Sequence, residues 1–209
     1  MLTRDATAPP YDALRPLKAL TTDTFPVHHD LVDTLVEAKA HPDDVVAHTL
    51  AVCAGYAYAD EATVSMMMAR MGLAGNHCRM IGQYVDAMFI SSTAFLVQSE
   101  DGRVVVLAYR GTEPFNFVAW LTDADVYPER VPFAFGPSGD TRFDVHAGFY
   151  RNVRSTRHEV VAALERARQG RSVHEDGRPV PHPMEALYVT GHSLGAAMAA
   201  MMAVMLVTE

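Results

Sequence analysis

Cysteine is nearly absent: Cys53 and Cys78 are the only two in 209 residues. Two thiols cannot make a disulfide framework, so a packed core has to hold the fold. Both read as small core residues, with a single bridge as the other option. Basic clusters are missing as well. A net charge of −8 leaves no cationic stripe for nucleic acid and no Lys/Arg patch for anionic lipid. Residues 1–20 contain Asp5, Asp12, Pro9, Pro10 and Pro16 but no apolar core of a secretory signal, so cytoplasmic localisation is the default and secretion by another route stays open. The longest apolar stretch, Leu194–Val207, is about fourteen residues, short of the ~20 that a spanning helix needs. His28, His29, His41 and His48, with Asp30, Asp43 and Asp44, follow no metal-ligand spacing and read as solvated side chains. Neither a metal nor a cofactor is called for. Repeats and low-complexity tracts are absent too.

What is present is globular. With 49% hydrophobic and 20% charged residues, the chain fits one domain with a sizeable core, or part of a larger one. Residues 1–40 read as an extended lead-in, because Pro9, Pro10, Pro16 and Pro26 interrupt any helix. Helical spacing of Val45, Val46, Thr49, Leu50, Cys53 and Ala54 predicts a helix from about Pro42 to Tyr58, with Asp43 and Asp44 favourable in its first turn. A second helix, Glu61–Gly72, is rich in methionine, which suits core filling better than the lining of a fatty pocket. Ser92–Gln98 and Arg103–Tyr109 read as strands of a hairpin around Asp101-Gly102. Residues 113–145 look irregular. A helix is predicted over Phe149–Gln169, stopped by Gly170.

The most informative segment follows. Ala186-Leu187-Tyr188-Val189-Thr190 is a short apolar strand, Gly191-His192-Ser193-Leu194-Gly195 is a G-x-S-x-G turn, and Ala196–Ala200 continues as helix. In that context the glycines permit a turn too tight for side chains, and the strain lifts the Ser193 hydroxyl where a carbonyl can reach it. A serine hydroxyl needs a base, and the oxyanion formed on its attack needs preorganised N–H donors. Leu194, the residue after the nucleophile, offers one donor from its backbone. Tyr109-Arg110-Gly111-Thr112 ends the strongest strand, and Thr112 is the natural second donor, the alternative being an ordinary strand-end turn.

Four blocks now coincide: Tyr109-Arg110-Gly111-Thr112, Trp120-Leu121-Thr122-Asp123, Val145-His146-Ala147-Gly148-Phe149 and Val189–Ala197. Together they resemble the class 3 (fungal-type) triacylglycerol lipases, in that family's order, from about residue 40 onward. The resemblance implies an α/β-hydrolase-like fold, a central, mostly parallel sheet with flanking helices. It makes Ser193 the nucleophile, gives the oxyanion to Thr112 and Leu194, and makes Glu113–Ala124 a lid bearing Phe115, Phe117, Trp120 and Leu121. Such a lid would add its aromatics to a lipid-contacting patch; without the resemblance the segment would read as a helix that packs.

One departure matters. The family places its aspartate and then its histidine after the serine, whereas only Glu209 is acidic after Ser193 here, and no histidine follows. His146 is the earlier histidine best placed to substitute, but in the family that block is structural. His192 adjoins the serine and should point to the opposite face. Residues 41–209 are therefore read as the N-terminal portion of a single α/β-hydrolase domain whose last strands, with the Asp and His, lie beyond residue 209. An exposed sheet edge and the uniformly apolar last helix argue the same way. The expected function is a serine ester hydrolase of lipid-type substrates, acting through an acyl-enzyme, at a lipid–water interface in one version. The rival is a catalytically inactive fragment or a non-enzymatic lipid-binding protein without the triad.

Overall fold

The computed structural model describes residues 26–38, 41, 43–85, 90–111, 128–133 and 141–208. Its elements are α1 (Leu31–Glu37), α2 (Asp44–Tyr56), α3 (Glu61–Met71), β1 (His77–Val85), β2 (Ile90–Gln98), β3 (Val104–Tyr109), β4 (Pro128–Phe133), β5 (Thr141–His146), α4 (Ala147–Arg168), β6 (Ala186–Gly191) and α5 (Leu194–Thr208).

A four-stranded sheet in the order β1-β2-β3-β6 forms the middle layer. Where a mostly parallel sheet was expected, this one is mixed. β1, β2 and β3 run antiparallel, and β6 joins β3 in parallel. Short connections allow only antiparallel neighbours, whereas the parallel pairing needs the long crossover through α4. Alternation along β3, buried on both faces, divides the core in two. Val105, Leu107 and Tyr109 pack against α4 and α5 through Val153, Val160, Leu164, Met198 and Met202. Val104, Val106 and Ala108 pack against α1–α3 through Leu35, Cys53, Val64, Met68 and Met71. The result is a three-layer α/β sandwich.

Local signals set most helix ends. The Asp43 carboxylate accepts from Val45 N and Val46 N at 2.8 and 3.0 Å, and Asp60 accepts from Thr63 N at 2.7 Å. Each satisfies donors that the first turn leaves free. Gly170, at φ 69°, follows the end of α4. The methionines of α3 mostly fill core: Met67, Met68 and Met71 are buried and Met66 faces out. Both cysteines are free and buried in the core between the sheet and α1–α3, so the option of a bridge is not taken. Burial pushes each thiol up to about 12, which makes them inert core residues.

Four elements were not expected. α1 lies within the supposedly extended lead-in, and its Leu31 and Leu35 are completely buried. β1 completes the sheet beyond the anticipated hairpin. Within the stretch read as irregular, β4 and β5 pair antiparallel, Pro128 opposite His146 through Phe133 opposite Thr141. The outer edge of β6 has no strand partner among the described residues. α5, expected to need cover all round, buries one stripe (Leu194, Met198, Met202, Met205) and leaves Ala196, Ala200 and Val207 exposed.

The β2–β3 turn is tied to α1 by charge. Asp101 accepts from the Ser99 hydroxyl at 2.6 Å, Arg103 Nε at 2.7 Å and Arg103 N at 3.1 Å, and Arg103 Nη2 reaches Asp33 at 2.6 Å. Desolvation raises the Asp101 carboxyl, but these hydrogen bonds outweigh it and hold it below its ordinary value of 3.8. A lowered folded-state value contributes stability that is complete above the unfolded value and is lost as pH falls through the folded one. Thermal melts should therefore fall between pH 5 and pH 2 by less in Asp101→Asn than in the wild type; equal slopes would show that Asp101 carries none of the acid sensitivity.

Candidate functional site: the serine elbow

β6 arrives at the elbow pinned on both sides. Its residues run parallel to β3, ending with Gly191 beside Tyr109. On the α1–α2 side, the Tyr188 hydroxyl donates to the Leu35 carbonyl and the Thr190 hydroxyl to the Leu50 carbonyl at 3.3 Å. The strand end is thereby fixed before the chain turns into α5.

The turn itself is strained. Ser193, at φ 55°, is the one non-glycine residue with positive φ among the described residues, a conformation that costs of order 1–3 kcal/mol and that surrounding structure must hold. Both flanking glycines are forced by close approach. A Cβ on Gly191 would run into the backbone of Gly195 and come within 2.8 Å of Ala196 N. A Cβ on Gly195 would meet the Tyr109 carbonyl oxygen and lie 3.0 Å from both Arg110 C and Gly111 N. The first helical turn is closed by Gly195 N donating to His192 O and Ala196 N to Ser193 O, both at 2.9 Å.

This backbone leaves two groups open. The exposed Ser193 hydroxyl has no hydrogen-bond partner among the described residues, and neither does the N–H of Leu194. A free hydroxyl beside a free N–H at a helix N-terminus is what attack on a carbonyl and capture of the resulting oxyanion require. Leu194 is buried, so its side chain anchors the donor to the α4–α5 core.

The other expected site residues stand differently. Thr112 and the lid segment, with Phe115, Phe117, Trp120 and Leu121, lie outside the described residues. Gly111, just before Thr112, is buried and adjoins the elbow: its absent Cβ leaves room for the His192 carbonyl and the Tyr58 hydroxyl. All ten histidines are described, and none is hydrogen-bonded to Ser193. His146 caps α4, accepting from Phe149 N at 3.4 Å with its ring stacked on Phe149. His192 Nδ1 lies 3.2 Å from the Tyr58 hydroxyl. Among the described residues no group of three or more His, Cys, Asp or Glu side chains is arranged for a metal. A cleft of about 550 Å³ between α4 and α5, lined by Leu164, Leu187, Met205 and Leu206 with Arg157 and Arg168, does not include Ser193.

Tyr58 escaped the sequence reading. It lies just beyond α2, and its partner His192 is 134 residues away, so no local pattern could have exposed it. Arg110 brackets it, donating through Nε to the Ala57 carbonyl at 2.7 Å and through Nη2 to the Ala59 carbonyl at 2.6 Å.

A strand, a strained serine and a helix N-terminus on a mixed sheet covered on both faces make an α/β-hydrolase-like fold. No curated protein sequence matches the chain. Among solved structures, a deletion mutant of the Rhizomucor miehei lipase propeptide complex is similar at 18% identity and a TM-score of 0.49, over 79% of this chain. The match covers 45% of that lipase chain, so this sequence spans less than half of its length. Residues 106–209, which contain most of β3 and the whole elbow, match the family model for class 3 lipases, and through them the chain belongs to that family.

Proposed function

We propose that this chain carries the nucleophile and oxyanion-binding part of a serine ester hydrolase acting on lipid-type substrates. Ser193 Oγ attacks the ester carbonyl carbon and its proton passes to a histidine base. The C–O bond to the alcohol then breaks, the alcohol leaving with that proton. Water hydrolyses the acyl-serine in a second step through the same base. The Leu194 N–H and Thr112 receive the negative charge of each tetrahedral intermediate, a contribution of about 10²–10³ in rate per donor. In the Ser, Asp, His order of α/β-hydrolases, the aspartate and the histidine base come after the nucleophile along the chain. The observation behind this reading is the elbow, with its strained serine, free hydroxyl and free N–H side by side.

The test is covalent. A fluorophosphonate should label Ser193 in a protein extended past residue 209, and Ser193→Ala should abolish the labelling. Folded extended protein that stays unlabelled would sink the reading. Residues 1–209 alone should hydrolyse a short p-nitrophenyl ester near background, because an oxyanion site without a base leaves most of the acceleration missing. Vigorous turnover by 1–209 that disappears in Ser193→Ala would overturn the assignment of the base. The rival reading, a protein without catalysis, draws its support from the ten histidines, none of which is bonded to Ser193.

A further inference from the structure

Two backbone segments must be held in register if one corner is to bind an oxyanion: the end of β3 at Gly111 and the elbow at His192–Leu194. They touch closely, with a Cβ on Gly111 lying 2.5 Å from the His192 carbonyl oxygen, but no backbone hydrogen bond joins them among the described residues. What spans them is a side chain from a third element. The Tyr58 hydroxyl lies against Gly111 on one side and 3.2 Å from His192 Nδ1 on the other. Its ring meets the His192 ring edge-on at 6.1 Å.

The hydrogen-bond inventory fits one arrangement. The Gly111 backbone faces the phenol oxygen and favours its acceptor side, so the single hydroxyl hydrogen is left to donate to His192 Nδ1. His192 is then held in the tautomer with hydrogen on Nε2. Burial raises the Tyr58 phenol above its ordinary value, so the group keeps that hydrogen throughout the neutral range. Tyr58 is itself immobilised, since Arg110 grips the carbonyls on either side of it, at Ala57 and Ala59. Arg110 is also the residue that precedes Gly111. The clasp is thus closed at both ends: β3 holds the Tyr58 turn through Arg110, and the turn holds β3 and the elbow through the hydroxyl.

We propose that Tyr58 is a positioning residue, whose hydroxyl sets the spacing between the Gly111 strand end and the Ser193–Leu194 elbow. This rests on the reading of Ser193 as nucleophile for its catalytic meaning, though not for its geometry. Loss of the hydroxyl removes the hydrogen bond to His192 and the close contact with Gly111 and lets the two segments drift, whereas ring packing survives in phenylalanine.

The experiment uses Tyr58→Phe in residues 1–209, with amide NMR as the deciding readout. Amide exchange at Gly111 should quicken about tenfold, the Leu194 amide resonance should move, and His192 should become a mixture of tautomers, while amides in the middle of α4 stay unchanged. His192→Ala is the second variant. It should move Leu194 and leave Gly111 protected, because only one arm of the clasp is cut. Unchanged Gly111 and Leu194 amides in Tyr58→Phe would overturn the proposal, since a residue that only packs is replaced by Phe without consequence. Fluorophosphonate labelling of the extended protein is read separately. A wild type that labels and a Tyr58→Phe that labels about tenfold more slowly, with equal probe affinity, supports both claims. A wild type that never labels while the amides still respond removes the nucleophile and leaves the clasp standing.

Discussion

Gly195→Ala should destabilise the protein by about 3 kcal/mol or more, among the larger effects available to a single methyl group. The added carbon lands on the backbone at the end of β3, against the Tyr109 carbonyl oxygen and 3.0 Å from Arg110 C and Gly111 N. Backbone on both sides cannot rotate away as a flexible side chain would. Either α5 slides outward, opening its Leu194–Met198–Met202 stripe, or β6 loosens from β3. Urea denaturation of the purified variant measures the loss. Gly82 gives the control: nothing lies within 4 Å of its Cβ position. Ala there should stabilise β1 by about 0.5 kcal/mol, as expected for glycine replaced in an unstrained strand. Wild-type stability in Gly195→Ala would mean that the elbow tolerates a gap the backbone distances deny.

Phe95→Ala should be comparable, at about 3–5 kcal/mol. Phe95 is completely buried in β2 on the α1–α3 face, opposite Ala108 of β3. The sheet behind it cannot collapse into the hole, so the cavity remains. Arg110 lies over the ring, its guanidinium carbon 5.9 Å from the centroid, so the same substitution removes one wall of the Tyr58 clasp. Arg110→Ala should cost less, because it breaks two charge-assisted hydrogen bonds but leaves the core filled. The order of urea midpoints, wild type above Arg110→Ala above Phe95→Ala, is the measurement. The reverse order would make the carbonyl grip, not the core, the larger determinant.

Much of this layout was legible because the signals are local. Asp101-Gly102 marked the β2–β3 turn, Asp43, read as favourable in the first turn of its helix, stands at its N-cap, and Gly191 and Gly195 flank the serine at fixed offsets. The elements that stayed hidden lack such marks. α1 has seven residues and its Asp30 makes no side-chain cap bond. β1 is an edge strand with Met80 and Tyr84 facing out, so it lacks a clean apolar face. β4 and β5 carry Pro128, Pro132 and several charges, all normally unfavourable to strands, yet they form an isolated two-stranded ribbon where proline interrupts little. The elbow was visible for the same reason as the hairpin. Tyr58 was not, because a contact across most of the chain has no period and no spacing.

The parallel pairing of β6 with β3 also has a consequence in time. Every other contact in the sheet joins strands that follow one another directly, whereas this one closes a loop containing β4, β5 and α4. Loop closure on that scale is slow, so β1–β3 and their helices can consolidate well before β6 docks. The bent serine is then assembled last and exists only after the sheet that restrains it. Its strain belongs to the final step, where it hastens opening of the elbow without hindering the collapse that precedes it.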